Sequence, residues 1–321
     1  MSRVEQFLLG NGHNRAAVHV GLINNMPDAA MRATELQFAR LLKEAAGALD
    51  VRLRLFSLRS IPRGEQARSR MAGFYDDAAF LQAANVDALI ITGAQHGATD
   101  LRDEPYWAEL AQLIDWAEIG TISTLFSCLA AHAAVLYLDG IERKPLETKC
   151  SGVYDCASVS PHWLTDGLPS PFKVAHSRLN ELRADELTAN GYQLLSQLPR
   201  GGVDSFAKDF GSQFIFFQGH PEYEALSLER EYLRDIARFL AGERDRYPGI
   251  PVGYFDTGTE LRLTAFALRA QNERRPALIA ELPERTLRED IAMGAAATVM
   301  FRNWIGFLSA RARAVSPEAN L

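Results

Sequence analysis

Cysteine is scarce. Only Cys128, Cys150 and Cys156 stand in 321 residues. An odd, small number in a chain this long argues against a disulfide scaffold and fits the reducing cytoplasm. No C-x-x-C pair occurs, so no zinc pattern is present and no metal is expected. Long apolar runs are missing as well. The run Leu129 to Leu138 is ten residues and includes His132, whereas a membrane helix needs about 20. Near the N-terminus, Phe7-Leu8-Leu9 gives way at once to Asn11-Gly12-His13-Asn14-Arg15. Neither a membrane span nor a signal peptide is expected. Positive charge is not in excess: 34 Lys and Arg face 40 Asp and Glu, a net charge of −6. Such a chain makes a poor nucleic-acid binder, although a local cluster of Arg and Lys can still hold a small anion. There is no repeat, no low-complexity tract and no nucleotide fingerprint. The stretch Thr92-Gly93-Ala94-Gln95-His96-Gly97 follows an apolar run but lacks G-x-G-x-x-G and the P-loop Lys. It reads as a tight turn lining a site.

What is present is ordinary globular composition, 47% hydrophobic and 23% charged, enough for a sizeable core. Short β-rich runs alternate with helical periods. Ala17 to Ile23 reads as a strand that ends at the breaker cluster Asn24-Asn25-Met26-Pro27-Asp28. A helix follows, with Met31, Phe38, Leu41, Leu42 and Ala45 on one face. Val51–Phe56 alternates like a half-buried strand. Ala88–Ile91, Thr121–Phe126 and Phe214–Phe217 are further strand-length apolar runs. Helices are expected at Leu129–Leu136, at about Ser227 to Leu240 and near Ala295 to Ala310, the last with Met300, Trp304 and Phe307 on one face. This alternation predicts an α/β fold: a doubly wound, mostly parallel sheet with helices on both faces. Residues 1–246 are assigned to a catalytic α/β domain. Residues 247–321, in which 260–289 is rich in Arg and Glu, are assigned to a C-terminal extension on that domain or at a dimer interface.

In such sheets ligands bind beyond the carboxyl ends of the strands. The loops after Ile23 and Ile91, and those carrying Cys128 and His220, therefore share one neighbourhood. Cys128 sits where a strand runs directly into a helix, the geometry of a nucleophile elbow. A helix N-terminus favours a thiolate placed there, and the N–H of Leu129 is offered to an oxyanion. The usual elbow has glycines two positions either side, where Phe126 and Ala130 stand here. The competing reading is a buried, inert cysteine. His220-Pro221-Glu222 follows the late strand and supplies a base and a carboxylate to orient it. Lys149 and Arg234 are candidates to hold an anionic group, against the alternative of ordinary surface charge. Cys150 and Cys156 are read as structural.

These stretches resemble those of the homoserine O-acyltransferase family, the homoserine O-succinyltransferase/O-acetyltransferase group of the methionine pathway. The similar segments are Gly21–Pro27, Ile91–Ala94, Tyr106-Trp107, Ser123–Cys128, Lys149–Tyr154, His176-Ser177-Arg178, Gly219–Tyr223, Arg234-Asp235 and Asn303-Trp304. They keep one order from about residue 17 to 310. The resemblance implies a class I glutamine amidotransferase-like, flavodoxin-like fold. It implies that Cys128 carries the acyl group as a thioester, with His220 as base and Glu222 orienting it. It places Lys149, Ser177 and Arg234 at the acceptor. It makes Gly97 the position that sorts the donor, a small residue going with succinyl-CoA and Glu with acetyl-CoA. The N–H groups of Leu129 and Ala94 are expected to hold the oxyanion. The implied reaction is ping-pong transfer from succinyl-CoA to L-homoserine in a cytoplasmic homodimer, with no separate cofactor. Acetyl-CoA as donor, serine as acceptor, and a glutaminase on the same triad are the alternatives. The chain departs from the family's Pro-Lys-Lys at Pro27-Asp28-Ala29 and from its Gly-Ala-Pro at Gly93-Ala94-Gln95.

Overall fold

The computed structural model describes residues 17–95, 97–291 and 294–315, except the side chains of 314 and 315. The N-terminal reading at Phe7 to Arg15, and His96, lie outside the described residues. In chain order the elements are β1 (Val18–Ile23), α1 (Asp28–Ala46), β2 (Val51–Ser57), α2 (Glu65–Met71), β3 (Tyr75–Asp77), α3 (Leu81–Ala84), β4 (Ala88–Ile91) and α4 (Trp107–Gly120). Then come β5 (Ser123–Ser127), α5 (Leu129–Asp139), β6 (Lys144–Ser158), β7 (Phe172–Glu181), α6 (Ala184–Ala189), β8 (Gln193–Gln197), β9 (Val203–Asp209) and β10 (Gln213–Phe217). Three helices close the chain: α7 (Ser227–Leu240), α8 (Thr257–Glu273) and α9 (Ala295–Val315).

The strands form one sheet in the order β3-β2-β1-β4-β5-β10-β9-β8-β6-β7. From β3 to β10 every pairing is parallel; from β10 to β7 every pairing is antiparallel. The parallel half matches the expected doubly wound sheet. Its central strands are buried on both faces, as the continuous apolar run Ala88–Ile91 requires. The five apolar positions expected on one face of α1 are all buried.

Two cores flank the sheet. One lies under α1 and α9, where Phe38, Phe301 and Trp304 join Val20 and Leu22. The other lies under α4 and α5, around Ile114, Ala131, Phe126 and Phe216. A third cluster joins α7 and α8 to Val153 of β6 and Ala175 of β7. The tail therefore serves two places. Residues of α8 pack over the β6/β7 end of the sheet, while α9 returns to lie against α1. Its Trp304 is fully buried and donates from Nε1 to Ser123 Oγ at 2.9 Å.

The antiparallel half is a finding that the residue pattern does not announce. The long strand β6 carries exposed Glu147 and Thr148, and its register with β7 shifts between Pro145 and Cys150. Such an irregularity breaks the period-2 signal on which strand recognition rests.

Candidate active site

Strand β5 ends at Ser127 and α5 begins at Leu129, leaving a single residue, Cys128, for the turn. Its φ of 52° and ψ of −111° lie where a side chain with a Cβ is strained. The elbow is held by its surroundings. The Cys128 N–H donates to the Phe217 carbonyl at 2.7 Å, joining the end of β5 to the end of β10. The turn after β4 packs on it from the other side. A Cβ added at Gly93 would stand 2.9 Å from Leu129 Cβ and 3.4 Å from Leu129 N, so glycine lets Ala94 approach the elbow. Leu129 opens α5, and its N–H has no intrahelical acceptor.

Beyond β10 the chain turns at Gly219, where a Cβ would meet Asp204 Oδ1 at 2.7 Å and Val174 Cγ1 at 2.8 Å. That close approach lets the His220 N–H donate to Ala175 of β7 at 2.8 Å. The His220 side chain is 10% exposed, and its Nδ1 lies 2.9 Å from Glu222 Oε1. With Nδ1 engaged, Nε2 is left for the thiol. Burial alone would lower the imidazole pKa. Cys128 and Glu222 outweigh it and hold the ring well above its ordinary value. Tyr223 stacks on the imidazole with centroids 4.1 Å apart, a contact absent from the sequence reading. Ala297 and Met300 of α9 line a small cavity behind His220, Pro221 and Tyr223.

The other sequence-derived residues divide. Lys149 of β6 and Ser177 of β7 converge on α7. Lys149 Nζ reaches Glu231 at 3.2 Å and Asp235 at 3.1 Å. Ser177 and Tyr223 both donate to Glu231, and Arg244 pairs with Asp235 at 2.9 Å. Arg234 stands outside this knot, its side chain 56% exposed and 3.6 Å from Asp235. Gly97 lies on the turn after β4. Its N–H and that of Ala98 each donate to Glu104 Oε1 at 2.6 Å. Sequence reasoning missed Tyr223 and Glu231. Their only signal was spacing from His220, three and eleven residues downstream, which a loop followed by a helix face does not make legible.

At the departure in the first loop, Asp28 accepts from the Gly64 N–H at 2.8 Å and faces Arg63 at 3.3 Å. Arg63, nearly buried, also donates to the Asn24 carbonyl at 2.8 Å. Asp28 is thus spent on fixing this loop. Deeper in, Cys156, His176 and Asp204 lie buried within 4.8 Å of one another. His176 Nε2 faces Asp204 Oδ1 at 3.1 Å, and burial pushes the Cys156 thiol pKa up and keeps the thiol protonated. This trio reads as packed core, with Asp204 also accepting from Ser196 at 2.6 Å.

A cysteine on strained backbone at a strand-to-helix elbow, beside a carboxylate-oriented imidazole at the end of the next parallel strand, fits a class I glutamine amidotransferase-like fold. A solved structure supports that fold: a glutamine amidotransferase from Thermotoga maritima. It has a TM-score of 0.50 at 12% identity and covers 92% of this chain and 99% of its own. At that identity the likeness concerns the fold alone. The sequence comparisons are narrower. The family model described as homoserine O-succinyltransferase matches residues 10–314. A homoserine O-succinyltransferase of Bradyrhizobium japonicum is 53% identical over 90% of both chains. One of Rhodopseudomonas palustris is 54% identical over 90% of this chain and 87% of its own. The chain belongs to the homoserine O-succinyltransferase family.

Proposed function

We propose that this chain transfers a succinyl group from succinyl-CoA to the hydroxyl of L-homoserine through a thioester on Cys128. Donor, acceptor and the place in methionine biosynthesis follow from membership of the family at 53 to 54% identity. The route is carried by one observation. Cys128, His220 and Glu222 meet at the adjoining carboxyl ends of β5 and β10, with the imidazole held toward its charged form.

In that state the Cys128 thiolate attacks the acyl carbonyl. The Leu129 N–H and the Ala94 N–H hold the oxyanion. Collapse breaks the carbon–sulfur bond to CoA, and the His220 imidazolium supplies a proton to the departing thiolate. His220, now neutral, takes the proton from the acceptor hydroxyl as its oxygen attacks the thioester carbon. Cys128 leaves as thiolate, and the O-acyl ester departs. Lys149, Ser177 and Arg234 hold the acceptor. Two of the three donors on the Lys149 ammonium are taken by Glu231 and Asp235, leaving one. Gly97 leaves room for the longer acyl group. A cytoplasmic location, a division at residue 246, and a homodimer belong to the same proposal. Light scattering at twice 35.6 kDa checks the dimer, and the mass of one chain counts against it.

Initial rates test the double displacement. Varying succinyl-CoA at several fixed homoserine concentrations is expected to give parallel reciprocal lines. Intersecting lines mean that both substrates bind before either reacts, and no free thioester forms.

A further inference from the structure

Two donors near the turn before α4 take no part in the route above. Tyr106 is 4% exposed, yet its hydroxyl makes no hydrogen bond among the described residues. Arg143, half-buried on the segment between α5 and β6, makes no hydrogen bond or ion pair among them either. Its guanidinium lies within electrostatic range of Tyr106, Glu104, Asp100 and the Cys128 sulfur. A buried hydroxyl and a half-buried cation without partners are both costly to keep.

The neighbourhood is built, not incidental. Arg102 ties Asp100 at 2.6 Å to Glu142 at 3.4 Å, so the turn before α4 is fastened to the segment bearing Arg143. Glu104 on the turn is committed to the N–H groups of Gly97 and Ala98 and does not pair with Arg143. Among the described residues, its chain neighbours aside, Gly97 has no atom within 4 Å of where a Cβ would stand. Burial lowers the Arg143 pKa, and an added anion would offset that cost. A carboxylate accepts from a planar guanidinium fork and from a phenolic O–H at once.

We propose that the Arg143 guanidinium and the Tyr106 hydroxyl form the subsite that receives the terminal carboxylate of a dicarboxylic acyl group carried by Cys128. The inference rests on the succinyl-transfer reading and deepens it. Gly97 supplies space, while Arg143 and Tyr106 supply the attraction that separates a charged acyl chain from a neutral one of equal length.

The test compares succinyl-CoA with butyryl-CoA, which has the same chain length and no carboxylate. The readout is the ratio of kcat/KM for CoA release. Arg143→Gln is expected to lower the preference for succinyl-CoA about 30-fold, and Tyr106→Phe about 5-fold. Because the ratio is internal to each variant, a general loss of folded enzyme cancels. Tyr106→Phe, which removes one oxygen, carries the test if Arg143→Gln does not fold. An unchanged ratio in both variants, beside a wild type that turns over succinyl-CoA, overturns this subsite and leaves the succinyl-transfer reading standing. No turnover of any acyl-CoA by the wild type overturns that reading, and this one with it.

Discussion

Lys149, which we propose holds the acceptor, is also the cation that ties two carboxylates of α7. Burial alone would raise the pKa values of Glu231 and Asp235. Lys149 leads the effects that outweigh it, joined by His220, Ser177 and Tyr223 at Glu231 and by Arg244 at Asp235, so both carboxyls titrate below their ordinary values. The sign follows. A depressed carboxylate pKa stabilises the fold above the unfolded value, near 4, and that contribution is lost as pH falls through the folded value. Lys149→Met removes the cation and is expected to cost about 3 kcal/mol at neutral pH. The difference from wild type should shrink as pH falls below about 4, where the folded carboxyls take up protons. Urea unfolding at neutral pH and at about pH 3 checks it; an equal difference at both would separate the loss from the ion pairs. At this scale Cys128, His220 and Glu222 were legible because each follows an apolar strand. Tyr223 and Glu231 were not, since a ring that stacks on an imidazole and a carboxylate on a helix face leave no pattern in the chain. Arg143 was equally hidden: its meaning comes from lying near Tyr106 and Cys128, 37 and 15 residues earlier.

Elements position these groups. The elbow needs β5 to meet α5 across one residue, and the strained backbone at Cys128 persists because β10 and the turn after β4 hold it on two sides. Farther out, α9 seals the face of the sheet opposite α5. Its Trp304 fills the space over Ser123, with Phe301 beside it at a centroid distance of 5.8 Å. Trp304→Ala is expected to destabilise the protein by about 3–5 kcal/mol, read as a lower urea midpoint. A change below about 1 kcal/mol would place α9 outside the cooperative fold. The parallel strands and major helices were readable from period and breakers, and α7 falls at Ser227–Leu240 as expected. The antiparallel strands β6 to β9 were not. Polar residues and register shifts interrupt them, and their pairing is set by neighbours distant in sequence.

At the scale of the molecule, the sheet brings residues 92 positions apart, Cys128 and His220, to adjoining strand ends. The antiparallel half brings Lys149 and Ser177 to Glu231 and Asp235 of α7, and Tyr223 links that cluster to His220. Family and fold are fixed by the whole length of the chain. The thioester on Cys128 is the step on which the proposed chemistry turns. The most direct measurement is the intact mass of the protein after incubation with succinyl-CoA alone, followed by peptide mapping. One succinyl group on the Cys128 peptide is expected, discharged when homoserine is added and absent from Cys128→Ala. Turnover of both substrates by Cys128→Ala, with no adduct on the wild type, would contradict it.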